Sequence, residues 1–195
     1  MTISDLKNLS VMIIEPNPSM RSIMRGIVRD IGVTNVHEAV DVDSGYKKFK
    51  EAPDDLIFTD WSEEVDALRF LRLVRHGKDS PDPRVPIVVV TANTDLGEVF
   101  KARDTGMTEF LSKPISQKMV LSRLKSAIGH PRMFIDAGEF FGPDRRRRLL
   151  LVEGKERRAY SGEDRRVKAM DFDGPERRQS SPDYKSEDLR GGGRE

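Results

Sequence analysis

Five short apolar runs constrain this chain more than any other feature. They are Val11-Met-Ile-Ile14, Val36 to Ala39, Leu56 to Thr59, Pro86-Ile-Val-Val-Val90 and Thr108-Glu-Phe-Leu111. A short run of this kind, bounded by polar residues, is what a strand buried on both faces looks like. Between the runs lie segments with helical spacing. Met20, Ile23, Met24, Ile27 and Val28 mark the first, and a second ends near Phe49. Val65, Leu68, Phe70, Leu71 and Val74 mark the third. A fourth runs from Asp95 to about Arg103, and Met119, Val120, Leu124 and Ile128 mark the last. Ser19 is the expected cap of the first helix, Asp43 or Ser44 opens the second, and Glu64 begins the third. Strand and helix alternating five times build a parallel sheet with helices on both faces and right-handed crossovers.

The expected fold is therefore α/β, a doubly wound five-stranded parallel sheet. A flavodoxin-like order of 2-1-3-4-5 places strands one, three and four at its centre. In such sheets chemistry collects beyond the carboxyl ends of the strands. There the runs deliver Glu15, Asp60, Thr91 and Lys113, the last followed by Pro114. Two carboxylates, a hydroxyl and an ammonium converging on one rim suit phosphoryl transfer. Glu15 and Asp60 are candidate Mg²⁺ ligands, since that ion takes one or two carboxylates plus waters and phosphate oxygens. An aspartate can act as a covalent nucleophile through an acyl phosphate. The phosphoryl oxygens then call for a cation, Lys113, and a hydroxyl donor, Thr91.

Composition removes other classes. With no cysteine there is no disulfide framework, thiolate metal site or cysteine nucleophile. No apolar run approaches the ~18 residues of a membrane span. Met1-Thr-Ile-Ser-Asp5 lacks the basic and apolar regions of a signal peptide, so a cytoplasmic location is expected. His37, His76 and His130 do not cluster at ligand spacing and read as structural or solvated. No cofactor loop or substrate-pocket signature appears, so a true enzyme with a diffusible substrate is not expected.

The motifs resemble a known family, the response regulator receiver domain of two-component signalling. The matching pieces are the acidic end of Val11-Met-Ile-Ile-Glu15, the helix start Pro18-Ser-Met-Arg21 and Asp55-Leu-Ile-Phe-Thr-Asp60-Trp61. Further on come Pro86-Ile-Val-Val-Val-Thr91-Ala92, Gly106-Met-Thr-Glu-Phe110-Leu and Ser112-Lys113-Pro114. The resemblance covers about residues 8–128, and the domain is expected to span 8–129. It implies that Asp60 accepts a phosphoryl group from a histidine kinase or phosphotransfer protein, and that Lys113 contacts that group. It also implies that Thr91 and Phe110 reorient on phosphorylation, and that Lys113–Pro114 is a cis peptide. One departure stands out. The family usually ends its first strand with two consecutive acids, and here the pair is Glu15-Pro16. Proline offers no side-chain ligand, which predicts weak Mg²⁺ binding and slow phosphorylation unless the amide oxygen of Asn17 takes part. A pseudo-receiver that binds partners without being phosphorylated is the alternative. Trp61, beside Asp60, is a natural fluorescence reporter.

Residues 130–195 differ in kind. From 131 onward they hold 16 Lys/Arg and 14 Asp/Glu among few apolar residues, too few to offset the entropy of ordering. This tail is expected to be largely disordered. Within it Gly142-Pro-Asp-Arg-Arg146, Gly154-Lys-Glu-Arg-Arg158, Gly162-Glu-Asp-Arg-Arg166 and Gly174-Pro-Glu-Arg-Arg178 repeat one pattern at irregular intervals. Arginine pairs suit phosphates or carboxylates, and Arg145, Arg146, Arg147 and Arg148 form the densest patch. The tail reads either as an anion-binding segment, with nucleic acid as one conceivable partner, or as a solvated polyampholyte linker. Phe134, Phe140 and Phe141 are apolar islands able to dock back on the domain or on a partner. No recognisable DNA-binding output domain follows, so signalling by protein contact with an unknown downstream protein is expected.

Overall fold

The computed structural model describes residues 6–93, 95–138 and 140–145. Its elements follow in chain order. They are β1 (Ser10–Ile14), α1 (Pro18–Ile31), β2 (Asn35–Ala39), α2 (Val42–Glu51) and β3 (Leu56–Asp60). Then come α3 (Ala67–His76), β4 (Ile87–Thr91), α4 (Leu96–Asp104), β5 (Glu109–Ser112) and α5 (Gln117–Leu124). Lys125–Gly129 continue α5 as a wider π turn. The five strands pair in parallel in the order β2-β1-β3-β4-β5.

Side-chain alternation along each strand feeds two cores, one per sheet face. Met12, Ile14, Ile57, Ile87, Val89 and Phe110 join the layer under α2, α3 and α4. Val11, Ile13, Leu56, Phe58, Val88, Val90 and Leu111 join the layer with Met24, Val28, Val120 and Leu124. Both faces are covered, which is why the strands read as unbroken apolar runs.

The helix starts differ from expectation in detail. Asn17, not Ser19, caps α1: its Oδ1 accepts from Ser19 N (2.9 Å) and Met20 N (3.1 Å). Pro18 then takes the first helical position, where its missing N–H costs nothing. Asp41 caps α2 ahead of Asp43 and Ser44, through Ser44 N at 2.7 Å. Asp66 caps α3 through Arg69 N at 2.9 Å, so that helix begins after Glu64 and Val65.

Two more strands follow the expected domain end at 129. Phe134–Asp136 (β6) and Phe141–Pro143 (β7) form an antiparallel hairpin within the stretch assigned to the tail. Its apolar islands explain it. The Phe134 and Phe141 rings sit 5.5 Å apart, and Gly142 and Pro143 are buried. Residues 146–195, including Arg146, Arg147, Arg148 and the three later Gly-x-x-Arg-Arg elements, lie outside the described residues.

Candidate functional site

Three strands deliver three side chains to one rim. β3 ends in Asp60, β1 is followed by Glu15, and β5 by Lys113. The carboxylates are nearly buried, Asp60 at 3% exposure and Glu15 at 6%. Lys113 Nζ lies between them, 2.7 Å from Asp60 Oδ1 and 2.8 Å from Glu15 Oε2. Burial works against its charge, but the hydrogen bonds to Asp60 and Glu15 outweigh that and hold its pKa above the ordinary lysine value. A small cavity beneath is lined by Ile13, Met20, Met24, Phe58, Val90 and Ile115. The ion pairs therefore stand on an apolar floor, where charge–charge interactions are strengthened.

The loop after β1 is tightly held. Glu15 Oε1 accepts from Asn17 N at 3.1 Å. Arg21, which sequence reasoning quoted only as part of a motif, donates from Nη1 to the Glu15 carbonyl (2.7 Å) and the Pro16 carbonyl (3.2 Å). Its Nε stands 3.4 Å from Glu38. An arginine on an amphipathic helix carries no sequence signal for this role. Because Asn17 Oδ1 is committed to two backbone N–H groups, it is an N-cap and not a spare metal ligand.

Thr91 is placed differently. Its hydroxyl donates to the Trp61 carbonyl at 3.0 Å and accepts from Asn93 N at 3.1 Å. The pleat accounts for this. Thr91 has the parity of Ile87 and Val89, whereas Asp60 has that of Phe58, on the other sheet face. Phe110 shares the Thr91 face and is buried at 5% exposure. The Lys113–Pro114 peptide is cis. Arg145 is remote from the rim. It pairs with Asp104 at 3.2 Å and lies over the Phe140 ring at 3.9 Å. Of the histidines, His37 contacts buried Asp54 at 2.9 Å, and burial raises the Asp54 carboxyl above its usual range. Among the described residues no three acids or histidines gather as a metal cluster. Among them, too, no helix is long and apolar enough to cross a membrane.

Comparison with known proteins then decides the family. The family model described as response regulator receiver domain matches residues 11–125. The chain belongs to the response regulator receiver domain family. Relatives of this receiver include chemotaxis protein CheY-3 of Vibrio cholerae, 25% identical over 122 residues, spanning 60% of this chain and 90% of that protein. Chemotaxis protein CheY of Pseudomonas aeruginosa is also 25% identical, over 118 residues, spanning 60% and 94%. Among solved structures, the receiver domain of a Pseudomonas aeruginosa sensor histidine kinase shares the fold, with a TM-score of 0.55 at 24% identity. The match covers 62% of this chain and 98% of that one, and that structure has a magnesium ion in its active-site cleft.

Proposed function

We propose that this receiver works as a phosphorelay response regulator with Asp60 as the acceptor. An Asp60 oxygen attacks the phosphorus of a phosphohistidine on a kinase or phosphotransfer protein. The P–O bond forms as the P–N bond breaks, and the imidazole leaves with a proton from solvent. The observation that supports this best is Lys113 Nζ held 2.7 Å from Asp60 and 2.8 Å from Glu15. That ammonium is already positioned to neutralise a phosphoryl oxygen attached to Asp60. Thr91 reaches the same group by exchanging the Trp61 carbonyl for a phosphoryl oxygen, and the space it vacates gives Phe110 its coupling to the site. Signalling proceeds through protein contacts with a downstream partner.

Glu15 and Asp60 fit a Mg²⁺ that keeps several waters, since that ion needs only one or two carboxylates. With Mg²⁺ bound there, phosphoryl charge is neutralised during transfer. Affinity is low for two reasons: Pro16 supplies no donor, and the Lys113 ammonium competes for both acids.

That competition favours a second reading, a pseudo-receiver in which Lys113 permanently replaces the metal and no phosphoryl group is taken up. Mg²⁺ with beryllium fluoride, a phosphoryl mimic, separates the two. Trp61 emission changes in the wild type and stays constant in Asp60→Asn if Asp60 is the acceptor. No Asp60-dependent change supports the pseudo-receiver.

A further inference from the structure

Arg75 is 3% exposed at the C-terminal end of α3, and the proposed site makes no use of it. Its Nε donates to the Gly106 carbonyl and its Nη1 to the Pro83 carbonyl, both at 2.9 Å. Nη2 is buried without a hydrogen-bond partner, and among the described residues no carboxylate stands within ion-pair distance of the group. Burial lowers its pKa to about 9, which still leaves the guanidinium charged at neutral pH. A buried cation with an unpaired N–H carries a real desolvation cost.

The hairpin helps keep this group dry. Phe134 places its ring 5.2 Å from the Arg75 guanidinium carbon. Gly142 lies against Gly106 so closely that a Cβ on either would approach backbone to 2.8 Å. Arg132 donates to the Thr108 carbonyl, and Arg145 reaches Asp104. The seat is thus specific, but its fastenings are slight. Each strand has three residues, and an isolated two-stranded hairpin is marginal in water. The Arg145–Asp104 pair is well exposed on both sides, and such pairs contribute little. Modest attraction is therefore set against the cost of drying Arg75.

We propose that the hairpin strands Phe134–Asp136 and Phe141–Pro143, with Arg132 and Arg145 at their ends, are a releasable latch over Arg75. The latch opens as a unit while the five-stranded sheet stays folded, returning the guanidinium to water and freeing the α4–β5 connection at Gly106. That connection leads directly into β5, which carries Phe110 and is followed by Lys113, so the latch governs the mobility of the strand that serves the rim.

Hydrogen exchange on the full chain, paired with phenylglyoxal labelling of Arg75, tests this. The Ala137 N–H, bonded to the Phe140 carbonyl, and the Asp144 N–H, bonded to the Met133 carbonyl, report the hairpin. Val88 to Val90 report the sheet. The latch predicts hairpin amides exchanging ~100-fold or more faster than β4 amides, yet slower than unprotected chain. Gly142→Val blocks the seat and Phe134→Ala removes the lid. Both should speed hairpin exchange and Arg75 labelling together, leaving β4 exchange unchanged. Three results would overturn the proposal: hairpin and β4 exchanging at one common rate, hairpin amides with no protection in the wild type, or Arg75 labelling indifferent to both substitutions.

Discussion

Lys113→Met is the perturbation whose outcome follows most directly from the rim geometry. The ammonium lies 2.7 and 2.8 Å from oxygens of two nearly buried carboxylates. With an effective dielectric of ~20 and charge centres ~4 Å apart, each attraction is worth about 4 kcal/mol before costs. Desolvation and side-chain ordering offset much of this. Methionine keeps most of the stem volume but leaves two like charges facing each other over an apolar floor. Removing one partner from such a cluster costs about 2–4 kcal/mol. Urea unfolding at pH 7 measures the loss, provided the slope is unchanged. Mg²⁺ should also stabilise the variant more than the wild type, because the competing ammonium is gone. A variant within ~0.5 kcal/mol of wild type, with an unaltered Mg²⁺ response, would refute the reasoning.

Other expectations follow from neighbouring contacts. Asn17→Ala should cost about 1 kcal/mol as a lost N-cap while leaving Mg²⁺ affinity within about twofold by titration calorimetry; a tenfold loss would make Asn17 a ligand after all. Pro16→Asp supplies a second acid beside Glu15 and should tighten Mg²⁺ about tenfold, the same titration being the check. Gly45→Ala places a Cβ 2.6 Å from Ile14 Cδ1, so urea unfolding should show a loss of about 1–3 kcal/mol. Lys113 and Tyr46 both have folded-state pKa values raised, Tyr46 to about 12. Their stabilisation is complete below the unfolded values of ~10 and is lost as pH rises through the folded ones, so thermal midpoints should fall above pH 10 and fall less in Lys113→Met.

What the sequence made legible was whatever depends on runs and periods. Strands buried on both faces appear as unbroken apolar runs, and the polar residue closing each run marks the rim. What it hid depends on parity and on distant partners. Thr91 and Asp60 both end strands, yet the pleat sends them to opposite faces, and only pairing register reveals that. Ser19 and Asn17 are both good cap residues, and Pro18 decides between them, because proline takes the first helical position directly after the cap. Arg75 carries no sequence signal of burial, because its cover comes from Phe134, 59 positions later. The hairpin was obscured by the charged composition around it.

The central claim is that Asp60 forms the acyl phosphate. Intact mass spectrometry after incubation with Mg²⁺ and a small phosphodonor tests it most directly. The wild type should gain one phosphoryl group, removed by hydroxylamine, and Asp60→Asn none. Equal labelling of the two proteins, or none on the wild type at saturating donor and Mg²⁺, would contradict it.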